Sequence, residues 1–436
     1  MHNFNLETVA LMGVPISNVT MDDVVAMVDA SIREGGFHQV ATANVDFLKN
    51  AIEDPELQEI LCRCDMVIPD GMPLLWVSRL LNQPLRERVC GVDLVPQLAE
   101  LAASRGYGIF LLGAKDSTSF KAAEILKSTY PGLKICGRYS PPLCPLEEMD
   151  HEDILRRIED ADPDILIVAF GNPKQEKWLD MHRDRLSVPV CIGVGGSLDF
   201  IAGCVPRAPK WMWGAGLEWA YRLLQEPRRL ATRYLSDIGA LAVHVPQQYF
   251  THALQPKRGK DSRVFAESTE DAIVISIHGN LRGESLQEFV TIADCALQTG
   301  MNIVLNMSRA TFIGIDTLGE LIRLRSRLSP SQNLWLAGLR RSHLRVLRGA
   351  KLEAHFMTVS SVHDAVNRAM RAEQRRYLRT VVQPTGSRGS ARGVQVRLVH
   401  LYEMCRKVGA ANQGVEVGFA VQTGAVRRWG YNDLIG

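Results

Sequence analysis

Ile165-Leu166-Ile167-Val168-Ala169-Phe170-Gly171-Asn172-Pro173-Lys174-Gln175-Glu176 carries the reading of the fold. Six uninterrupted apolar residues run into a glycine and a proline, as a strand buried on both faces of a parallel sheet runs into its carboxyl-end turn. Downstream, Gly193-Val194-Gly195-Gly196 is a second such strand end, followed by an arginine- and tryptophan-dense segment. Upstream, from Thr20 to about Leu198, amphipathic helices alternate with short apolar strands, which predicts a mostly parallel sheet covered on both faces.

Thr20 is expected to cap a helix that stops before Gly35, followed by a strand to about Ala41. One helix is expected to carry Phe47, Leu48, Ile52, Leu57 and Leu61. Met66-Val67-Ile68 reads as the next strand and ends at Pro69-Asp70-Gly71; Ile109 to Leu112 is another, turning at Gly113-Ala114. Ligands of open parallel sheets bind beyond the carboxyl ends of the strands. Thr42, Asn44, Asp70, Gly113, Gln175 and Gly195 all fall at such ends.

The chain has 436 residues, enough for two or three domains. A hydrophobic share of 46% and a charged share of 22% fit ordinary globular cores, and a formal net charge of +2 argues against a surface built to coat nucleic acid. Nine cysteines lack metal-ligand spacing, and the N-terminus does not read as a secretory leader, so reduced thiols and a cytoplasmic location are expected. No run reaches the roughly 18 uncharged apolar residues of a spanning helix, so any membrane contact is expected to be peripheral.

Each candidate residue has a bland alternative. Asp70, between a strand and Gly71, can accept a proton from an attacking hydroxyl or merely shape a turn. Thr42 and Asn44 can hydrogen-bond a sugar or base edge, or cap a helix. Arg88 can neutralise a diphosphate, or be a solvated arginine. Gln175 and Glu176 open a helix whose N–H groups can face an anion. Leu198 breaks G-x-G-x-x-G, which weakens a dinucleotide-binding reading and with it a dehydrogenase or epimerase. Asp162-Pro163-Asp164 precedes a strand and reads as a loop, leaving no metal site for a diphosphate.

From Pro206 to Tyr234, Arg207, Lys210, Arg222, Arg228, Arg229 and Arg233 stand among Trp211, Trp213, Trp219, Tyr221 and Tyr234. This mixture suits an anionic bilayer surface or a lipid diphosphate, the alternative being a core helix with a solvated basic face. Helix is expected from Gly203 to Phe250, then a polar linker at 255–262, a second α/β domain at 263–370, and an arginine- and glycine-rich, partly disordered tail at 371–436.

Thr42-Ala43-Asn44, Pro69-Asp70-Gly71, Arg88 with Gly91-Val92-Asp93, the Gly171 to Glu176 turn, Gly193 to Gly196, and Arg207-Ala208-Pro209 through Trp219 to Glu226-Pro227-Arg228-Arg229 together resemble the WecG/TagA/CpsF glycosyltransferase family. The resemblance spans about residues 10–240. It implies a Rossmann-like core over 1–205 and a helical membrane-proximal appendage over 206–254. It also implies inverting, metal-independent transfer of a hexose-type sugar from a UDP donor to an undecaprenyl-diphosphate-linked sugar, with no cofactor. Carried over by position, Asp70 is the expected base. Thr42, Asn44, Gly71, Arg88, Asp93, Gly113, Gln175, Glu176 and Gly195 are expected to line the donor and acceptor pocket, and Arg222, Arg229 and Arg233 to meet the lipid diphosphate. The implied partners are a UDP-sugar, a polyprenyl-diphosphate acceptor and an anionic membrane surface; nucleic acid is not among them, and homo-oligomerisation stays open.

The second domain, through Ile273 to Ile277, Val304-Leu305-Asn306 and Phe312 to Gly319, resembles a STAS domain, which implies a protein partner. Gly314 and Ile315 stand where such domains usually carry the phosphorylated Asp-Ser pair, and Asp316 and Thr317 are the expected docking surface. A regulator that senses a nucleotide sugar without catalysis is the alternative from another class.

Overall fold

The computed structural model describes residues 7–209, 211–212, 217–253, 262–269 and 271–371. The chain divides into two compact units at Gln247/Gln248.

In the first unit, β1 (Thr8–Leu11) and β2 (Val14–Ser17) form an antiparallel hairpin. A six-stranded sheet follows, built from β3 (His38–Ala43), β4 (Met66–Pro69), β5 (Gly108–Gly113), β6 (Lys134–Tyr139), β7 (Ile165–Ala169) and β8 (Val190–Gly193). Its order is β4-β3-β8-β7-β5-β6 and every pairing is parallel. Period-two alternation divides the side chains between the faces. Ile109, Leu111, Ile165 and Ile167 join a core with α1 (Met21–Glu34), α5 (Gly91–Arg105), α6 (Asp116–Thr129) and α9 (Ser197–Ile201). Phe110, Leu112, Leu166 and Val168 face α7 (His151–Ala161) and α8 (Lys174–Met181).

Thr20 caps α1 reciprocally with Asp23, and Gly35 ends it, as expected. β3 extends beyond the expected end at Ala41 to Ala43. The single helix expected over Phe47 to Leu61 is two, α2 (Val45–Glu53) and α3 (Pro55–Arg63). Pro55 cannot donate to the preceding turn, and Asp54 accepts from the N–H groups of Glu56 and Leu57, so the chain restarts a helix there. The stretch 203–209 is not helical; beyond it lie α10 (Glu218–Gln225) and α11 (Pro227–Ala253). Asp162 adopts a left-handed conformation in a loop before β7, in line with the loop reading of Asp162-Pro163-Asp164.

β6 forms one sheet edge and alternates exposed with half-buried residues, including Lys134 and Arg138. At the other edge, the Val67 N–H of β4 donates to Ser17 Oγ of the hairpin at 3.3 Å.

The second unit holds β9 (Arg263–Ser268), β10 (Ala272–Asn280), β11 (Asn302–Phe312), β12 (Leu334–Ala337) and β13 (Met357–Val359), in the order β13-β12-β11-β10-β9. Only β9 is antiparallel to its neighbour. α12 (Glu284–Gln298) and α13 (Ile315–Ser326) provide crossovers. Of the expected docking pair, Thr317 is buried and its hydroxyl donates to the Leu281 carbonyl at 3.1 Å, so Asp316 alone keeps surface exposure. Of the expected linker only Ser262, and of the expected tail only Arg371, are among the described residues.

α6 and α8 leave β5 and β7 towards opposite faces, so the connections part at Gly113 and Ala169. Gly113 has φ 97°, and a Cβ there would lie 2.8 Å from the Ala169 carbonyl oxygen. Gly113→Ala is therefore expected to destabilise the protein by about 2 kcal/mol or more, read as a lower urea midpoint with unchanged slope.

Candidate active site

The carboxyl ends of β3, β4, β7 and β8 carry the cluster. Asp70 follows β4; its N–H donates to the Ala43 carbonyl at 2.7 Å, and the Val89 N–H donates to the Pro69 carbonyl at 2.9 Å. These two bonds fix the turn after β4 and bring the Arg88 segment beside it. Asp70 retains some exposed surface, yet protein packs closely around its carboxyl. That burial pushes its pKa up to about 6; the negative charge of Glu218 adds to the shift, while Arg88, Arg222 and a hydrogen bond from the Gly91 backbone oppose it.

Arg88 Nη1 pairs with Glu218 Oε2 of α10 at 2.7 Å. Glu218 Oε1 lies 3.5 Å from Arg207 Nε, and Arg207 grips Asp93 of α5 with two hydrogen bonds at 2.6 and 2.7 Å. Although burial opposes it, Arg207 holds the Asp93 carboxyl below its usual range. The Cys90 thiol donates to Asp93 Oδ2 at 3.3 Å, and burial pushes that thiol far up in pKa, so it stays protonated. The Arg222 guanidinium lies over the Phe200 ring, 5.0 Å from its centroid, and its charge favours the ionised form of Asp70. Charge thus alternates along Asp70, Arg88, Glu218, Arg207 and Asp93, linking the appendage to the strand ends.

Several expected pocket residues commit their side chains to hydrogen bonds within the protein. The Thr42 hydroxyl is buried and donates to the Gly193 carbonyl at 2.8 Å, bracing β3 against β8. Asn44 caps α2 through the Phe47 N–H at 3.3 Å, and Gly71 begins α4 (Met72–Leu80) without a side-chain cap. Gln175 is fully buried. Its Oε1 accepts from the N–H groups of Gly171 (3.1 Å) and Gly195 (3.0 Å), and its Nε2 donates to Glu176 Oε1 at 2.7 Å. Asn172 Nδ2 donates to Glu176 Oε2 at 3.1 Å, and Asn50 Nδ2 donates to Asn172 Oδ1 at 2.7 Å. One carboxamide therefore fastens two strand-end turns from behind. Gly193 makes room for it, since a Cβ there would lie 2.5 Å from Gln175 Nε2.

Of the three arginines expected at a lipid diphosphate, Arg222 lies close enough to lower the Asp70 pKa. Arg233 lies 4.0 Å from Asp237 on its own helix, and the side chain of Arg229 is outside the described residues. In the sequence Arg207 stands out only within the basic and aromatic segment and the family motif, and Glu218 and Phe200 are given no role. The signal for Glu218 was its place as one of only two acidic residues, with Glu226, between Pro206 and Tyr234.

Burial pushes Glu176 up to about 7, against the hydrogen bonds donated to it. A carboxyl whose pKa is raised on folding stabilises the protein fully below its unfolded pKa, near 4.5, and loses that contribution as pH rises through about 7. Each tenfold change in proton affinity is worth about 1.4 kcal/mol, so the loss amounts to roughly 3 kcal/mol. Glu176→Gln is expected to flatten the fall in unfolding free energy between pH 5 and 8 relative to the unsubstituted chain, measured by denaturant titration at each pH.

With this geometry in hand, the chain can be set beside known proteins. Residues 9–255 match the model of the glycosyl transferase WecG/TagA/CpsF family. The N-acetylglucosaminyldiphosphoundecaprenol N-acetyl-beta-D-mannosaminyltransferase of Bacillus subtilis (strain 168) is 36% identical over 190 residues, covering 44% of this chain and 72% of that protein. The enzyme of the same name from Staphylococcus aureus (strain MRSA252) is 28% identical over 228 residues, 52% of this chain and 88% of that protein. A solved anti-sigma factor antagonist from Mycobacterium paratuberculosis aligns with 26% of this chain and 99% of its own at 14% identity and a TM-score of 0.25, too slight a likeness to assign the second unit. The extent of the family match and the curated relatives make this chain a member of the WecG/TagA/CpsF glycosyltransferase family.

Proposed function

We propose that this glycosyltransferase moves a hexose-type sugar, such as N-acetylmannosamine, its uronate or glucose, from a UDP donor to an undecaprenyl-diphosphate-linked sugar, in the synthesis of a surface polysaccharide or exopolysaccharide. The observation that carries the reading is Asp70 among Arg88, Arg222 and, through Glu218, Arg207. A carboxyl with a pKa of about 6 is ionised at neutral pH and still basic enough to take a proton. In this reading Asp70 deprotonates the acceptor hydroxyl as its oxygen attacks the anomeric carbon. The bond to the diphosphate breaks on the opposite face, which inverts the anomeric centre. The departing UDP gains negative charge, and the guanidiniums of Arg88 and Arg222 receive it. The B. subtilis and S. aureus relatives, named as enzymes using diphosphoundecaprenol acceptors, support this acceptor class.

The surface of the appendage supports work beside a bilayer. Leu224, Leu235, Ile238 and Val243 are exposed along α10 and α11, with Trp211 and Trp219 exposed nearby in sequence. Among the described residues no helix is long and apolar enough to cross a membrane. A helix presenting apolar side chains beside arginines lies in the headgroup region.

UDP release from a panel of UDP-sugars, with a short-chain polyprenyl-diphosphate-sugar as acceptor, tests the chemistry. Asp70→Asn is expected to lower kcat by about two to four orders of magnitude; near-normal turnover in that variant sinks the assignment. In the unsubstituted chain, kcat/KM is expected to fall about tenfold per pH unit below pH 6, as Asp70 takes up its proton. Leu235→Glu with Ile238→Glu is expected to reduce co-sedimentation with anionic vesicles severalfold while leaving UDP binding intact.

A further inference from the structure

Glu218 sits where an incoming diphosphate would be drawn. It reaches the core from α10, its carboxylate shared between Arg88 at 2.7 Å and Arg207 at 3.5 Å, and all three side chains are less than one-fifth exposed. The nearby formal charges cancel: Asp70, Asp93 and Glu218 against Arg88, Arg207 and Arg222. A neutral cluster attracts a dianionic group only weakly; with Glu218 withdrawn, the same cluster holds a net positive charge. Arg88 Nη1 and Arg207 Nε face one carboxylate from two guanidiniums, and guanidinium N–H groups are donors that suit phosphate oxygens as well. Asp93 holds the Arg207 guanidinium through both Nη atoms, so its Nε stays oriented when Glu218 leaves.

We propose that Arg88 and Arg207 form a diphosphate clamp, that Glu218 occupies it in the unliganded chain, and that the substrate's diphosphate displaces the Glu218 carboxylate from it. The clamp rests on the transferase reading above, because both transferase substrates carry diphosphate: the nucleotide donor and the polyprenyl acceptor. Glu218 is the first residue of α10, so its displacement is felt at the start of that helix. A carboxylate that only tethered α10 would have the opposite effect on binding, because its loss would loosen one wall of the site.

The test is calorimetric titration of the full chain and of Glu218→Gln with UDP and, separately, with a short-chain polyprenyl diphosphate. Glu218→Gln preserves shape and removes the competing charge, so it is expected to bind the clamp's ligand about ten times more tightly, the scale of one charge-assisted hydrogen bond. Arg207→Gln is expected to weaken the same ligand about tenfold. Tightening for UDP alone assigns the clamp to the donor, and tightening for the polyprenyl diphosphate alone assigns it to the acceptor. Unchanged or weaker binding of both ligands by Glu218→Gln, in a variant whose thermal midpoint shows it folded, overturns the clamp while leaving the transferase reading intact. If Glu218→Gln fails to fold, Glu218→Asp, with its charge drawn back by one methylene, is expected to bind severalfold more tightly, and unaltered affinity overturns the clamp. If no protein binds either ligand, the clamp and the transferase reading fall together.

Discussion

A parallel sheet ends in backbone groups that its own ladder cannot satisfy, and the turns beyond those ends must be held by something else. In the first unit that task falls on the carboxamide of Gln175, which binds the Gly171 and Gly195 N–H groups with one oxygen. Without it, two loops beside the cluster would each leave a half-buried donor without this bond, at a cost of about 1 kcal/mol apiece. The neighbouring Glu176 completes the arrangement from Asn172, and Gly193 leaves the space it requires. Asp70 and Arg88 are placed by a similar device, backbone bonds from Asp70 to Ala43 and from Val89 to Pro69. Main-chain bonds place Asp70 and the Arg88 segment, and side-chain ion pairs bring Glu218 and Arg207 to them.

The electrostatics build on that frame. Asp70 lies between opposing influences: burial and Glu218 favour its protonated form, while Arg88 and Arg222 favour its charged form. The balance leaves it close to neutrality, where a carboxyl can accept a proton and later release it. Arg88, Glu218, Arg207 and Asp93 extend the same alternation from a loop, through the appendage, to the start of α5. A change at Arg88, Arg222 or Glu218 is therefore felt at Asp70.

Much of the architecture was legible because periodicity reports burial directly. The apolar run at Ile165 to Phe170 and the alternation of helix and strand before it gave the parallel sheet, and Thr20 and Gly35 marked their helix. Pro55 was a visible breaker, but the apolar spacing on either side of it reads as one continuous helical face. The site was legible in part. Asp70 and Arg88 stood at a strand end and a charged loop, and they do converge. Thr42, Asn44 and Gln175 stood at strand ends too, yet linear position does not say which way a polar side chain turns, and these three turn towards backbone. Glu218 lies 130 positions from Arg88, and a pairing across that distance leaves no trace in local pattern.

The edges of the large sheet bear on how these molecules behave at high concentration. Along β6, Lys134 and Arg138 project to solvent, and Arg138 pairs with Asp116 and lies over Phe120. On the far side, the hairpin occupies the flank of β4. A foreign strand meets charge at one border and an existing neighbour at the other, so neither offers a flat apolar template for intermolecular strand addition. Crowded copies can therefore collide through this unit without their sheets fusing into fibrils.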